Sequence, residues 1–307
     1  MQKVSLGSTG LLIPDIAVGC MRISEMEDKA LILHLNTCIE KGLNFFDHAD
    51  IYGNGLCESR FSRALKDTGF HREDIILQSK CGIVPGVMYD FSKEHILNSV
   101  DGILKRLDTD YLDILLLHRP DALMEPEEVA GAFDVLQSSG KVKYFGVSNQ
   151  RPMQIELLKK CVKQELLVNQ LQMSIPVSQM IAGGLEVNMM TDGAIDRDGS
   201  VLEYCRIHDM VVQAWSPFQY GFFEGIFLNN REQFPELNQC LDRLAERYET
   251  TPIAVATAWI LRYPARMQMI AGTTNTDRMK EIMKGSELEL SREEWYELYL
   301  STGHILP

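Results

Sequence analysis

No two cysteines in this sequence are spaced as CxxC, and the seven present (Cys20, Cys38, Cys57, Cys81, Cys161, Cys205 and Cys240) make an odd number. That pattern argues against a disulfide framework and a cysteine-only zinc site, so reduced thiols in a cytoplasmic protein are expected. No uncharged apolar run approaches the roughly 18 residues of a membrane span. Met1–Leu11 lacks the basic stretch followed by an apolar one that marks a secretory signal. Positive charge is scarce as well: 30 Lys and Arg stand against 43 Asp and Glu, a balance of −13. Such a field repels phosphate backbones and anionic lipid, which makes nucleic acid and membrane poor partners. Any phosphate-bearing ligand needs local donors. There is no Pro/Gly/Ser linker, low-complexity tract or tandem repeat, and hydrophobic (45%) and charged (24%) contents are ordinary for a globular chain. One domain, residues 1–307, is expected.

What the chain does contain is an alternation. Lys3–Ile13 alternates apolar and polar residues around Gly7-Ser8-Thr9-Gly10 and reads as a β-hairpin. Eight short apolar runs follow: Ile16–Gly19, Asn44–Asp47, Ile75–Lys80, Leu112–His118, Tyr144–Ser148, Leu167–Gln170, Val211–Trp215 and Met267–Ala271. Unbroken hydrophobicity, as in Asp113-Ile114-Leu115-Leu116-Leu117, suits parallel strands buried on both faces. Amphipathic stretches lie between them. Glu94–Leu107, for example, places Ile96, Val100, Ile103, Leu104 and Leu107 on one stripe. A last helix near Ser291–Leu300 opens on a capping box and lies beyond the eighth strand. The expectation is a closed (β/α)8 TIM barrel with an N-terminal β-hairpin and an extra C-terminal helix. A doubly wound dinucleotide fold would carry GxGxxG after its first strand, and none is present. Gln172–Gly199 lacks periodicity and reads as a long loop, and the Met-rich part, Met173–Met190, as flexible.

In a barrel, function collects where strands end. The second strand ends at Asp47 and leads into His48-Ala49-Asp50-Ile51-Tyr52; the third ends at Lys80 and the fourth at His118. Taken singly, each has a bland explanation: a solvated lysine, a core histidine, a turn tyrosine, a helix-capping aspartate. Converging on one mouth, the four make a proton-transfer set. A phenol has a pKa of about 10, a neighbouring ammonium lowers it, and a carboxylate can position the ammonium. Tyr52, Lys80 and Asp47 suit these roles, and His118 can orient a carbonyl oxygen. Because the set brings no electrons, a hydride source is needed, hence a nicotinamide cofactor.

On these residues the sequence resembles the aldo-keto reductase superfamily. Asn44–Gly53 resembles its first motif. Lys80 after Ile75–Ser79, His118 after Asp110–Ile114, Gly146-Val147-Ser148-Asn149, Asn169-Gln170 and Trp215-Ser216-Pro217 follow in matching order. The likeness runs from about Lys3 to Glu294, and Cys20-Met21-Arg22 with His118-Arg119-Pro120-Asp121 is similar to a bacterial oxidoreductase branch. The resemblance implies reduction of an aldehyde or ketone with NADP(H), Tyr52 acting as general acid with Lys80, Asp47 and His118. It also implies that Ser148, Asn149 and Gln170 bind the nicotinamide carboxamide. Trp215 would stack on the ring, where the family more often has Tyr. Ser216, Pro217, Phe218 and Gly221 resemble the loop over the pyrophosphate, and Gly272, Thr273, Thr274, Arg278 and Glu281 the adenosine site. Met21, Arg22 and Asp47 complete that cofactor set. Arg278 can meet a 2′-phosphate bidentately, whereas Ile282 replaces an Asn that contacts adenine in many members.

Met21, Met88, Tyr89 and Arg119 are candidates for the walls of the pocket for a small-molecule carbonyl substrate. No metal-ligand spacing is evident, and a monomer or weak homo-oligomer is expected. The alternative is a non-catalytic, cofactor-binding regulatory subunit of the same fold. A barrel isomerase or aldolase using Lys80 as an imine-forming amine leaves Ser148, Asn149, Gln170 and Trp215 without a purpose.

Overall fold

The structure, a computed structural model, describes residues 1–306. The chain opens on the hairpin of β1 (Lys3–Ser5) and β2 (Leu12–Pro14), with Lys3 opposite Pro14. Then come β3 (Ile16–Gly19), α1 (Asp28–Glu40), β4 (Phe45–Asp47), α2 (Leu56–Lys66) and β5 (Ile76–Cys81). A second small hairpin, β6 (Ile83–Val84) with β7 (Met88–Tyr89), precedes α3 (Lys93–Leu107). β8 (Leu112–Leu117), α4 (Pro126–Ser138), β9 (Val142–Ser148), α5 (Pro152–Lys159) and β10 (Leu166–Gln172) continue the alternation. Next are α6 (Gln179–Leu185), α7 (Val201–Ile207), β11 (Val211–Trp215), α8 (Pro235–Arg247) and α9 (Pro252–Leu261). The chain closes with β12 (Arg266–Ala271), α10 (Thr276–Lys284) and α11 (Arg292–Leu300).

All eight expected runs are strands of one closed parallel barrel, in the order β3-β4-β5-β8-β9-β10-β11-β12. Closure comes from β12 pairing with β3, Ile270 opposite Ala17. Local chemistry sets the helix ends. Proline occupies the first turn of α4, α5, α8 and α9, where its missing N–H costs nothing. Ser92 caps α3 by accepting from the His95 N–H at 3.3 Å. Ser291 and Glu294 form the expected reciprocal cap on α11.

The N-terminal hairpin closes the barrel floor. Leu6 and Ile13 are buried with Ala17, Phe45, Ile76 and Val211, each at or next to the start of its strand. Gly7 turns with φ +53°, and a Cβ there would stand 2.3 Å from the Leu167 side chain. With the floor sealed, the opposite mouth is the end available to ligands.

Two expectations need correction. The 172–199 segment is not a structureless loop: it carries α6, and Met173, Ser174 and Ile175 are fully buried, so its Met-rich part is anchored at its start, while Met190 at its end is exposed. A helix of seven residues is too short to show a helical period. The β6–β7 hairpin was not anticipated, because two-residue strands show no alternation. Trp259 of α9 and Trp295 of α11 stack 5.0 Å apart at 4°. Each indole N–H donates to the other residue's carbonyl at 3.0 Å. Among the described residues no helix is long and apolar enough to cross a membrane, and no cluster suits a metal ion.

Candidate active site

Asp47 ends β4 inside the mouth and is almost wholly buried. One carboxylate oxygen accepts from Lys80 Nζ at 2.8 Å; the other accepts from Gln78 Nε2 at 2.6 Å and Gln170 Nε2 at 3.1 Å. Lys80, on β5, is completely buried. Its ammonium donates to Asp47, to the His48 carbonyl (2.7 Å) and to the Tyr52 hydroxyl (3.1 Å), which satisfies all three of its protons. Tyr52 is aimed by a sharp reversal after β4 in which Gly53, Asn54 and Gly55 all take positive φ before α2 begins. His118 directly follows β8, and its ring meets the Tyr52 ring edge-on, 6.0 Å apart at 82°. The structure thus brings together the four residues singled out in the sequence.

Their protonation follows from burial and neighbours. Burial would lower the Lys80 pKa, but the Asp47 charge and the bonds to Asp47 and Tyr52 outweigh it and raise it. Burial also raises the Tyr52 phenol; the Lys80 ammonium pulls the other way without winning, and Asp47 adds to the rise. The expected lowering of the phenol is therefore not what this arrangement produces: the proton is held on Tyr52. Burial, then the Lys80 and Arg119 charges, keep His118 well below the ordinary histidine value and hence neutral. Its buried Nδ1 has no hydrogen-bond partner.

Behind Asp47 lies a polar layer of which sequence reading named only Gln170. Gln78 of β5, Gln170 of β10, Gln213 of β11 and Gln268 of β12 point into the barrel. Gln78 and Gln170 both donate to Gln213 Oε1 (2.8 and 2.9 Å), while Gln213 donates back to Gln78 (2.9 Å) and on to Gln268 (2.8 Å). The available signal was one glutamine inside each of these apolar runs.

A second chain of bonds runs along the rim. Trp215 Nε1 donates to Asn149 Oδ1 (3.1 Å), Asn149 Nδ2 to Ser148 Oγ (2.7 Å), and Ser148 Oγ to the Gln170 carbonyl (3.1 Å). Asn149 and Ser216 adopt positive φ at their strand ends. These residues line one wall of a cleft of about 500 Å³ that also takes in Asp47, Tyr52, His118, Met21 and Arg22. It continues past Ser216, Pro217 and Phe218 to Gly272, Thr273 and Arg278 at the start of α10. Asn275 caps that helix by accepting from the Arg278 N–H at 2.9 Å, while neighbouring Asp277 is paired to Lys280. Gly221, Thr274 and Glu281 lie outside the lining. So do Met88 and Tyr89, which sit exposed on β7; Ile83 of β6 reaches the cleft instead, and Arg119 does line it.

The sequence of residues 15–299 matches the model of the aldo/keto reductase family. The chain belongs to this family. It is 33% identical to the oxidoreductase YcsN of Bacillus subtilis (strain 168), covering 100% of both chains. It is 32% identical to a 6-dehydroglucose reductase of Agrobacterium fabrum, covering 97% of both. At 27% identity, a probable voltage-gated potassium channel subunit beta of Oryza sativa subsp. japonica matches 94% of this chain and 92% of its own. Among solved structures, the thermostable aldo-keto reductase Tm1743 superposes with a TM-score of 0.79 at 27% identity, over 98% of this chain and 100% of that one. An aldo-keto reductase of Klebsiella pneumoniae in complex with NADPH shares the fold at 21% identity, with a TM-score of 0.78 over 100% and 96% of the two chains. Family membership and the closed barrel agree with the resemblance read from the motifs.

Proposed function

We propose that the chain is an NADP(H)-dependent reductase of an aldehyde or ketone, with Tyr52 as the proton donor. The observation that carries this reading is the buried Asp47–Lys80–Tyr52 chain of hydrogen bonds opening beside His118. The cleft suits the cofactor on its own features: its lining runs from these residues to a helix N-terminus and includes an exposed arginine, Arg278. Ser148, Asn149 and Gln170 would hold the carboxamide, Trp215 the ring face, and Thr273 and Arg278 the 2′-phosphate, with backbone donors at the start of α10 assisting. When bound, NADPH supplies the hydride that the carbonyl carbon receives.

The chain's own residues manage the proton. The neutral His118 offers an N–H to the carbonyl oxygen and orients it. As negative charge grows on that oxygen, the Tyr52 hydroxyl gives up its proton, and the phenolate left behind is neutralised by the ammonium 3.1 Å away. Asp47, fixed on its other side by Gln78 and Gln170, keeps that ammonium in place. Solvent then reprotonates Tyr52.

The regulatory-subunit reading draws support from the channel-subunit relative. Burying an ammonium, a carboxylate and a phenol is costly, however, and a cofactor binder has no use for the arrangement. Purified protein given NADPH and a panel of reactive aldehydes is expected to consume cofactor in proportion to alcohol formed. Tight NADPH binding without turnover across the panel would overturn the enzyme reading in favour of the regulatory one.

A further inference from the structure

Arg119 is the one basic residue at the mouth that neither the proton-transfer set nor the cofactor wall accounts for. It follows His118 immediately, lines the cleft and is half-buried. In a chain with 43 acidic side chains against 30 basic ones, partly buried arginines are tied to acids: Arg60 to Asp28, Arg72 to Asp113 and Arg106 to Glu58. Among the described residues Arg119 has no such partner. Burial is the main pressure on its charge, and the nearby groups that favour the charged form are the phenols of Tyr89 and Tyr52.

Its surroundings are aromatic. The guanidinium carbon lies 5.6 Å from the ring centres of both Trp215 and Phe222, and those rings meet edge-on, 6.3 Å apart at 85°. Stacked against π-faces, a guanidinium is held in place while its N–H groups remain free to bind. Phe222 and Phe223 are 61% and 58% exposed and extend the apolar wall outward. The cleft's charged lining is otherwise Arg22 and Arg278, placed with the cofactor, and Asp47, whose oxygens are already taken by Lys80, Gln78 and Gln170.

Resting on the reductase reading above, we propose that Arg119 selects the substrate: the carbonyl compound carries a carboxylate, which the guanidinium grips while the compound's apolar body lies against Phe222. Planar, two-pronged carboxylate recognition is what a guanidinium does best. The acidic exterior makes such a site selective, because the attraction is confined to the cleft.

The test uses a matched pair, 4-carboxybenzaldehyde and its methyl ester, with wild-type protein, Arg119→Met and Arg119→Lys. Wild type is expected to favour the acid. In Arg119→Met the acid-to-ester ratio of kcat/KM should fall about ten-fold to a hundred-fold, chiefly through KM for the acid. Arg119→Lys should recover part of the ratio, since it restores charge without the fork. NADPH affinity, titrated separately, should not move. A ratio unchanged in Arg119→Met overturns the proposal, and so does a loss of NADPH affinity, which would place the guanidinium on the cofactor. If neither aldehyde is turned over and the wider aldehyde panel fails as well, the reductase reading fails on its own. Calorimetric titration of terephthalate into NADP⁺-loaded protein still decides the carboxylate site: wild type binds and Arg119→Met does not, and equal binding by the two overturns it.

Discussion

In the proposed mechanism a single hydroxyl at Tyr52 separates a proton donor from a packing ring. Tyr52→Phe keeps the ring and its edge-on contact with His118 but leaves nothing to protonate the carbonyl oxygen. General acid catalysis is typically worth about 10²–10⁴-fold, so kcat is expected to fall by that factor while NADPH affinity stays constant. Steady-state kinetics beside a cofactor titration checks both, and retention of most of the activity would remove Tyr52 from its role. A few residues away, Asp50 shows what the same burial does to a carboxyl without a firm partner. One of its oxygens is buried with no hydrogen bond. Burial, then the Glu58 charge, push its pKa up to about 7, against the pull of Arg106. A raised carboxyl favours the folded state below its unfolded value of 3.8, and that contribution is lost as pH climbs through about 7. Asp50→Asn cannot ionise. Relative to wild type it should therefore gain stability between pH 4 and pH 8, by at most about 4 kcal/mol and less where water reaches the side chain. Urea titrations at the two pH values read this directly; a difference that is flat with pH would sink it.

Among the elements, α10 carries the cofactor prediction. Its capped N-terminus presents backbone donors, and Arg278 stands one turn in, exposed and facing the cleft. If Arg278 holds the 2′-phosphate, wild type binds NADPH more tightly than NADH. Arg278→Ala should then narrow the gap by about ten-fold or more, the worth of a charge-assisted hydrogen bond. Equal wild-type affinities would refute the assignment. The barrel strands were legible because a parallel strand buried on both faces reads as an unbroken apolar run, and their ends marked Asp47, Lys80 and His118. The glutamines of β5, β11 and β12 were equally visible, but only closure of the barrel brings Gln78, Gln213 and Gln268 within bonding distance. The same holds for Phe222, which belongs to no periodic segment and meets Trp215 and Arg119 only in three dimensions. Nor could motif order weigh the burial of Tyr52 against the charge of Lys80, and the phenol's direction of shift was misread for that reason.

Across the whole molecule, residues 1–307 are proposed to act as one unit, floor sealed by the hairpin and mouth left for ligands. The tryptophans divide along that axis. Of the three in the sequence, Trp259 and Trp295 are locked face to face by stacking and reciprocal hydrogen bonds, while Trp215 alone lines the cleft. The protein thus holds two indoles packed against each other and one that faces the cleft. Emission from Trp215 should drop most as a nicotinamide ring covers it and accepts its energy, whereas the stacked pair, outside the cleft lining, loses only what it passes to the cofactor by energy transfer. Cofactor occupancy could then be followed without a label, and in Trp215→Phe protein direct quenching of that indole would be gone, leaving only whatever energy the distant pair passes to the cofactor.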